Sequence, residues 1–303
     1  MSTRVIWHPA CRGHDPGAGH PERPERIDAV LNTLRAADLE PLLAWCEGAP
    51  AGRDALVAVH APGYVDGLER VAATGGAVLD SDTVMRPGSW EAALAAAGVA
   101  LRAVEQGIEA GVGGTAFGAT RPPGHHALAA HAMGFCFFNN VVIAARHAQR
   151  LGLARVLIVD WDVHHGNGTQ ALVETDPSVR YVSLHQHPWY PGTGAADERG
   201  VGNVFNVPRP PGLPRETYAR DLLAAVDAAL AGWRPDLLLV SAGFDSLAGD
   251  PLGGFTLEPE DMAWCTVTLR ERVAPAPVVG LLEGGYRLDL LAAGVRAHVR
   301  ALA

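Results

Sequence analysis

The sequence predicts an α/β domain built on a central, mostly parallel, eight-stranded sheet flanked by helices. Three observations carry that expectation. Short apolar runs recur along the chain, amphipathic Ala/Leu-rich segments lie between them, and the Gly-, Pro- and polar-rich stretches are spread evenly as loops instead of gathering into a linker. One domain over residues 1–303 is expected. The strand candidates are residues 5–8, 56–60, 115–119, 155–160, 181–185, 204–207, 237–242 and 278–282. Residues 25–37, 89–106, 138–151, 215–231, 259–272 and 288–301 space their apolar side chains as helices do, although alanine blurs their ends.

Composition narrows the function. Hydrophobic residues make up 48% of the 303 and charged residues 19%, an ordinary globular balance. A net charge of −9 argues against a nucleic-acid-binding surface, which would cluster positive charge. All 24 basic side chains are Arg, so neither a Schiff-base lysine nor a lysine-bearing phosphate loop can exist. Cys11, Cys46, Cys136 and Cys265 are far apart, without the spacing of a metal or redox pair. No apolar run resembles a signal peptide or approaches membrane-spanning length, so a cytoplasmic location without membrane attachment is expected.

The chemistry concentrates at expected strand ends, where open parallel sheets bind ligands. After Val156-Leu157-Ile158-Val159 come Asp160, Asp162, His164, His165 and Asn167. In an extended backbone Asp160, Asp162 and His164 share one face, and carboxylate and imidazole suit zinc and its first-row neighbours. Asp245, after another strand, offers a third ligand beside Asp162 and His164, although a turn cap explains it equally well. His125-His126 follow Pro122-Pro123-Gly124, a restrained approach that suits a general base and its electrostatic partner. Tyr286, after Gly284-Gly285, can donate to a developing oxyanion or simply pack. Phe135, beside Gly134, can wall a narrow channel or belong to the core.

Together these segments resemble the histone deacetylase superfamily, in particular the class II-like bacterial amidohydrolases with their acetylpolyamine and acetoin-utilisation relatives. The resemblance runs from His20-Pro21-Glu22-Arg23-Pro24-Glu25-Arg26 to Gly284-Gly285-Tyr286. It implies an arginase/deacetylase fold and Zn2+ held by Asp162, His164 and Asp245, with Fe2+ an alternative occupant in cells. His126 becomes the general base and His125 its electrostatic partner, paired with Asn167 and Asp160 respectively. Tyr286 and the zinc stabilise the oxyanion of acetamide hydrolysis. The resemblance further implies channel walls at Phe135 and Tyr190, substrate contacts at Gly134, Leu252 and Gly284, and a structural K+ near Asp160, Asp162, His164, Ser183 and Leu184.

Leu252 stands where a polyamine-specific relative carries a glutamate gatekeeper, and an apolar side chain does not select an internal ammonium. The expected partner is therefore an acetylated amine of the acetyl-lysine type, protein or small molecule, with acetylpolyamines as the alternative. A non-catalytic acyl-lysine-binding module and an arginase-like two-manganese hydrolase are the other readings. The sequence leaves homo-oligomerisation open.

Overall fold

All but one of the runs expected to form strands do so. In the computed structural model, which describes residues 2–303, the strands are β1 (Thr3–Trp7), β2 (Leu43–Glu47), β3 (Ala77–Val78), β4 (Val84–Met85), β5 (Thr115–Gly118), β6 (Val156–Asp160), β7 (Val179–Gln186), β8 (Val204–Arg209), β9 (Leu237–Ala242) and β10 (Val278–Leu282). Eight form one sheet in the order β2-β1-β5-β10-β9-β6-β7-β8, while β3 and β4 pair alone as a short antiparallel ribbon. Every pairing in the large sheet is parallel, so it is wholly and not merely mostly parallel.

The helices are α1 (Glu25–Leu34), α2 (Arg53–Val57), α3 (Pro62–Ala73), α4 (Ser89–Glu109), α5 (Asn140–Arg150), α6 (Asn167–Val173), α7 (Arg215–Leu230), α8 (Pro259–Val273) and α9 (Leu288–Leu302). They cover both faces of the sheet. The Phe117 ring of β5 meets His298 of α9 edge-on at 5.7 Å, whereas the next residue, Gly118, packs against Val99 and Ala103 of α4. Alternation along a strand sends successive residues to opposite layers, so a strand between two helical layers must be apolar throughout. All five residues of β6 are buried, and each Val, Leu or Ile there contributes roughly 1.5–3 kcal/mol relative to exposure. No helix among the described residues is long and apolar enough to cross a membrane.

One expected strand is absent and one unexpected strand takes its place in the sheet. Residues 56–60 are not a strand: α2 occupies 53–57 and a turn follows, in which the backbone N–H of His60 donates to the Leu56 carbonyl at 2.8 Å. Periodicity cannot separate so short an apolar run from a turn of buried helix. Leu56 instead joins Val65 and Leu68 of α3 and Ile143 of α5 in a satellite cluster. The missing strand is β2, which pairs with β1 from Thr3↔Leu43 to Trp7↔Glu47. Its exposure grows toward Glu47, the weaker pattern of an edge strand. The expected helix at 138–151 starts later because the Asn139 side chain caps α5, accepting from the Val142 N–H at 3.1 Å.

Candidate active site

Asp160 ends β6 in register with Ser183 of β7 and Ser241 of β9. The segment beyond it is folded tightly by its own carboxylates. Asp160 Oδ1 accepts from the Asp162 N–H at 3.2 Å, and Asp162 Oδ1 accepts from the His164 N–H at 2.9 Å. Asp245, three residues beyond β9, is drawn in by the Val163 N–H, which donates to its Oδ1 at 2.9 Å. The Gly284 N–H, just beyond β10, donates to Asp162 Oδ2 at 2.9 Å. Only glycine fits there, because a Cβ at position 284 would overlap Asp245 Oδ2.

The segments after β6 and β9, with Gly284 after β10 fixing Asp162, thereby place ligand atoms of Asp162, His164 and Asp245 within 4.8 Å of one another, all buried. His164 Nδ1 lies 2.9 Å from Asp162 Oδ1 and 3.3 Å from Asp245 Oδ2. Asp245 Oδ2 has no hydrogen-bonding partner. Burial and the neighbouring Asp162 carboxylate push the Asp245 carboxyl up to about 7. An orphaned carboxylate oxygen beside a second carboxylate and an imidazole is costly unless a cation joins them, and this donor set fits a divalent metal of the zinc kind.

The tandem histidines are held from behind by Glu283, whose Oε2 accepts from the N–H groups of Gly124 at 2.6 Å and His125 at 3.2 Å. His125 Nδ1 meets Asp160 Oδ2 at 3.1 Å, and the same oxygen accepts from the Tyr181 hydroxyl at 3.0 Å. His126 Nδ1 donates to Asn167 Oδ1 at 2.8 Å, which leaves Nε2 as the basic nitrogen. Burial disfavours charge on both rings. At His125 the carboxylates of Asp162 and Asp160 outweigh it and raise the pKa well above the usual value. At His126 burial is reinforced by His125 and His164, and the pKa falls well below it.

A cavity of about 210 Å³ runs from His126 and His164 to Trp189 and Leu252, walled by Gly134, Phe135, Tyr190, Tyr286 and Asp82. That is below the ~300–1,000 Å³ of common small-molecule sites, and it suits a slender chain. The Tyr190 ring stands edge-on to His126 at 5.1 Å, and Phe135 edge-on to Tyr286 at 5.7 Å. The Tyr286 N–H donates to Asp250 Oδ2 at 2.7 Å, and the Arg26 guanidinium lies 4.8 Å from its ring centre.

Comparison with known proteins identifies the family. The Histone deacetylase domain model matches residues 20–302. The chain belongs to the histone deacetylase family. It is 38% identical to the Histone deacetylase-like amidohydrolase of Pseudomonas aeruginosa, over 89% of this chain and 73% of that protein. It is 37% identical to the human Polyamine deacetylase HDAC10, over 99% of this chain and 46% of that longer protein. Among solved structures, the HDA15 HD domain superposes with a TM-score of 0.94 at 36% identity, covering all of this chain and 88% of the other. The chain is thus a deacetylase-family amidohydrolase with the α/β fold of its relatives.

The fold brings together His125, His126, Asp160, Asp162, His164, Asn167, Asp245, Gly284 and Tyr286, and sets Gly134, Phe135, Tyr190 and Leu252 around the cavity. Ser183 pairs beside Asp160, and its hydroxyl meets His185 Nδ1 at 2.9 Å, with Leu184 next along β7. His165 bonds Thr193 and Gln170 away from the cavity.

Sequence reasoning missed the buried ion cluster behind Tyr286. Arg26 donates to the carbonyls of Gly285 at 2.7 Å and Glu283 at 2.6 Å and to Glu22 at 3.0 Å, while Arg121 also binds Glu22. The four-residue spacing of Glu22 and Arg26 was the available signal, but it reads equally as a surface helix pair. Asp82 and Trp189 at the mouth carried no signal at all.

Proposed function

We propose that residues 1–303 are one deacetylase domain that hydrolyses the acetamide of acetyl-lysine-type substrates, peptide or small molecule, to free amine and acetate, with zinc as its metal. One observation carries this reading: the narrow aromatic-walled cavity ends on His126, His164 and Tyr286, beside the Asp162–His164–Asp245 group. Asp162, His164 and Asp245 would hold the metal, and iron(II) takes the same ligand types. When bound, the metal supplies Lewis acidity to the acetamide carbonyl and acidifies a water beside it.

The remaining work falls to the chain's own groups. His126 Nε2 takes the proton of the attacking water, because Asn167 holds Nδ1 as the donor, and that proton passes to the leaving amine nitrogen as the C–N bond breaks. His125, paired with Asp160, sets the local charge. The Tyr286 hydroxyl donates to the developing oxyanion, and Arg26, bonded to the Gly285 carbonyl, holds its turn in place. Phe135 and Tyr190 flank the aliphatic stem while Gly134, Gly284 and Leu252 shape the cavity around it. A structural K+ is assigned to Asp160, Asp162, His164 and Leu184, mainly through backbone carbonyls, with Ser183. The pairing of Asp160 with Ser183 across β6 and β7 supports that assignment.

Likeness to a polyamine deacetylase favours acetylpolyamines as a second reading. Leu252 at the cavity argues against it, since no carboxylate stands at that position to receive an internal ammonium. A panel of acetyl-lysine peptides, free Nε-acetyl-lysine, acetylputrescine and acetylspermidine, run on zinc-loaded protein, decides between them through kcat/KM ratios. Higher efficiency on acetylpolyamines would overturn the acetyl-lysine assignment, and no turnover of any acetamide would favour a binding module.

A further inference from the structure

Among the described residues, Phe135 is the one non-glycine residue with positive φ, at 67°, and it follows Gly134 at φ 56°. A phenylalanine does not hold the left-handed region unaided; surrounding contacts must over-determine it. Those contacts come from a segment some fifty residues earlier, the loop of the β3–β4 ribbon. The buried Thr83 hydroxyl accepts from the Phe135 N–H at 3.0 Å, and Asp82 Oδ1 accepts from the Gly134 N–H at 3.2 Å. Thr83 donates its own proton to the same Asp82 oxygen at 2.9 Å, so the two acceptors form one unit. His20 Nε2 lies 3.2 Å from the Asp82 carbonyl, and its ring meets Phe135 edge-on at 4.7 Å.

This arrangement reaches both halves of the site. Gly134 is pressed so closely onto the His126 ring that a Cβ would overlap it. The Phe135 ring forms the channel wall against Tyr286. We infer that Asp82 and Thr83 are positioning residues that hold the Gly134–Phe135 turn in its strained conformation and thereby set the width of the channel. This rests on the acyl-chain reading of that cavity. A channel held narrow by the clasp discriminates by linker shape: it admits a four-methylene stem and resists a wider one.

Thr83→Val keeps the buried volume and removes the acceptor, while Thr83→Ser restores it. In zinc-loaded enzyme, Thr83→Val is expected to raise KM for an acetyl-lysine peptide about tenfold with kcat within about twofold. It should also narrow, about tenfold, the preference for that peptide over one carrying acetylated 4-(aminomethyl)phenylalanine. Thr83→Ser should return both to wild type. A readout independent of turnover is the 19F spectrum of protein labelled with 4-fluorophenylalanine, the Phe135 signal being the one lost in Phe135→Leu. That signal should shift or broaden in Thr83→Val and recover in Thr83→Ser. If Thr83→Val fails to fold, Thr83→Ala is measured in its place. An unmoved Phe135 resonance, or an unchanged linker preference in folded protein, overturns the inference. A moved resonance in an enzyme that deacetylates nothing keeps the clasp and sinks the deacetylase reading instead.

Discussion

His126 donates from Nδ1 to Oδ1 of Asn167 at 2.8 Å, so a neutral amide selects the tautomer of the proposed base. An amide and a carboxylate would both accept that proton, but only the carboxylate would add charge. Asn167→Leu should leave the Nδ1–H unpaired and lower kcat/KM by roughly 5- to 150-fold, the equivalent of about 1–3 kcal/mol. Asn167→Asp should stabilise the protonated ring and raise its pKa, moving the acid limb of the kcat/KM profile to higher pH. A limb that stays in place in Asn167→Asp would assign the base elsewhere.

Tyr286→Phe keeps the ring between Phe135 and Arg26 and removes only the hydroxyl. If the hydroxyl donates to the oxyanion, kcat should fall by about two to three decades with KM little changed. Steady-state kinetics on an acetyl-lysine peptide make the comparison, and unchanged turnover would remove Tyr286 from the mechanism.

Metal should stabilise the fold as well as activate it, because Asp245 Oδ2 is buried without a partner. At a free zinc concentration about a hundred times Kd, the gain is about 2.7 kcal/mol, visible as a rise in Tm. Chelation should abolish activity, and Asp245→Asn should bind metal more weakly than wild type. Elemental analysis near one metal per chain would also disfavour the two-manganese reading.

Leu252 lines the cavity mouth, where its carbonyl accepts from the Trp189 indole at 2.8 Å. Leu252→Glu places a carboxylate there without disturbing that backbone bond. The ratio of kcat/KM for acetylspermidine over acetyl-lysine peptide should rise tenfold or more, about 1.4 kcal/mol of discrimination. An unmoved ratio would show that Leu252 does not face the substrate's distal amine.

Acid should destabilise the protein well above the carboxylate range. His60 is buried as a neutral ring, donating from Nδ1 to the Leu128 carbonyl and accepting at Nε2 from the Asn139 N–H, and burial lowers its pKa to about 4. Burial lowers His298 to about 3. Both sit below the unfolded value near 6.5, so the unfolded chain binds more protons, and stability present above pH 6.5 is lost as pH falls from there toward 4 and 3. Glu22 adds a second phase. Burial opposes its ionisation, but Arg121, His14 and Arg26 prevail and hold its carboxyl below the usual range, so its contribution disappears only as pH falls below about 4.5. Compared at pH 7.5, 6 and 5, the urea midpoint of His60→Gln should gain on that of wild type as pH falls, because the variant lacks the His60 contribution.

The β6 run, followed by Asp160, Asp162 and His164, was readable because a strand buried on both faces must be apolar and because ligand chemistry restricts residue type. Residues 56–60 misled because a short apolar run satisfies either a strand or a helical turn, and packing against α3 and α5 decided for the helix. Edge strand β2 was invisible because half-exposed positions tolerate almost any side chain.

By itself, the sequence determined the parallel α/β architecture and most of the proposed chemical groups, since apolar periodicity and donor type are local properties. Only the tertiary structure decided that Val163 carries Asp245 to the ligand group, that Glu283 holds the tandem histidines, and that Thr83 and Asp82 hold the Phe135 wall. Each of these depends on a hydrogen bond between residues 52 to 159 positions apart. Such bonds leave no periodic trace in a sequence; they exist only once the sheet has brought their partners to the same edge.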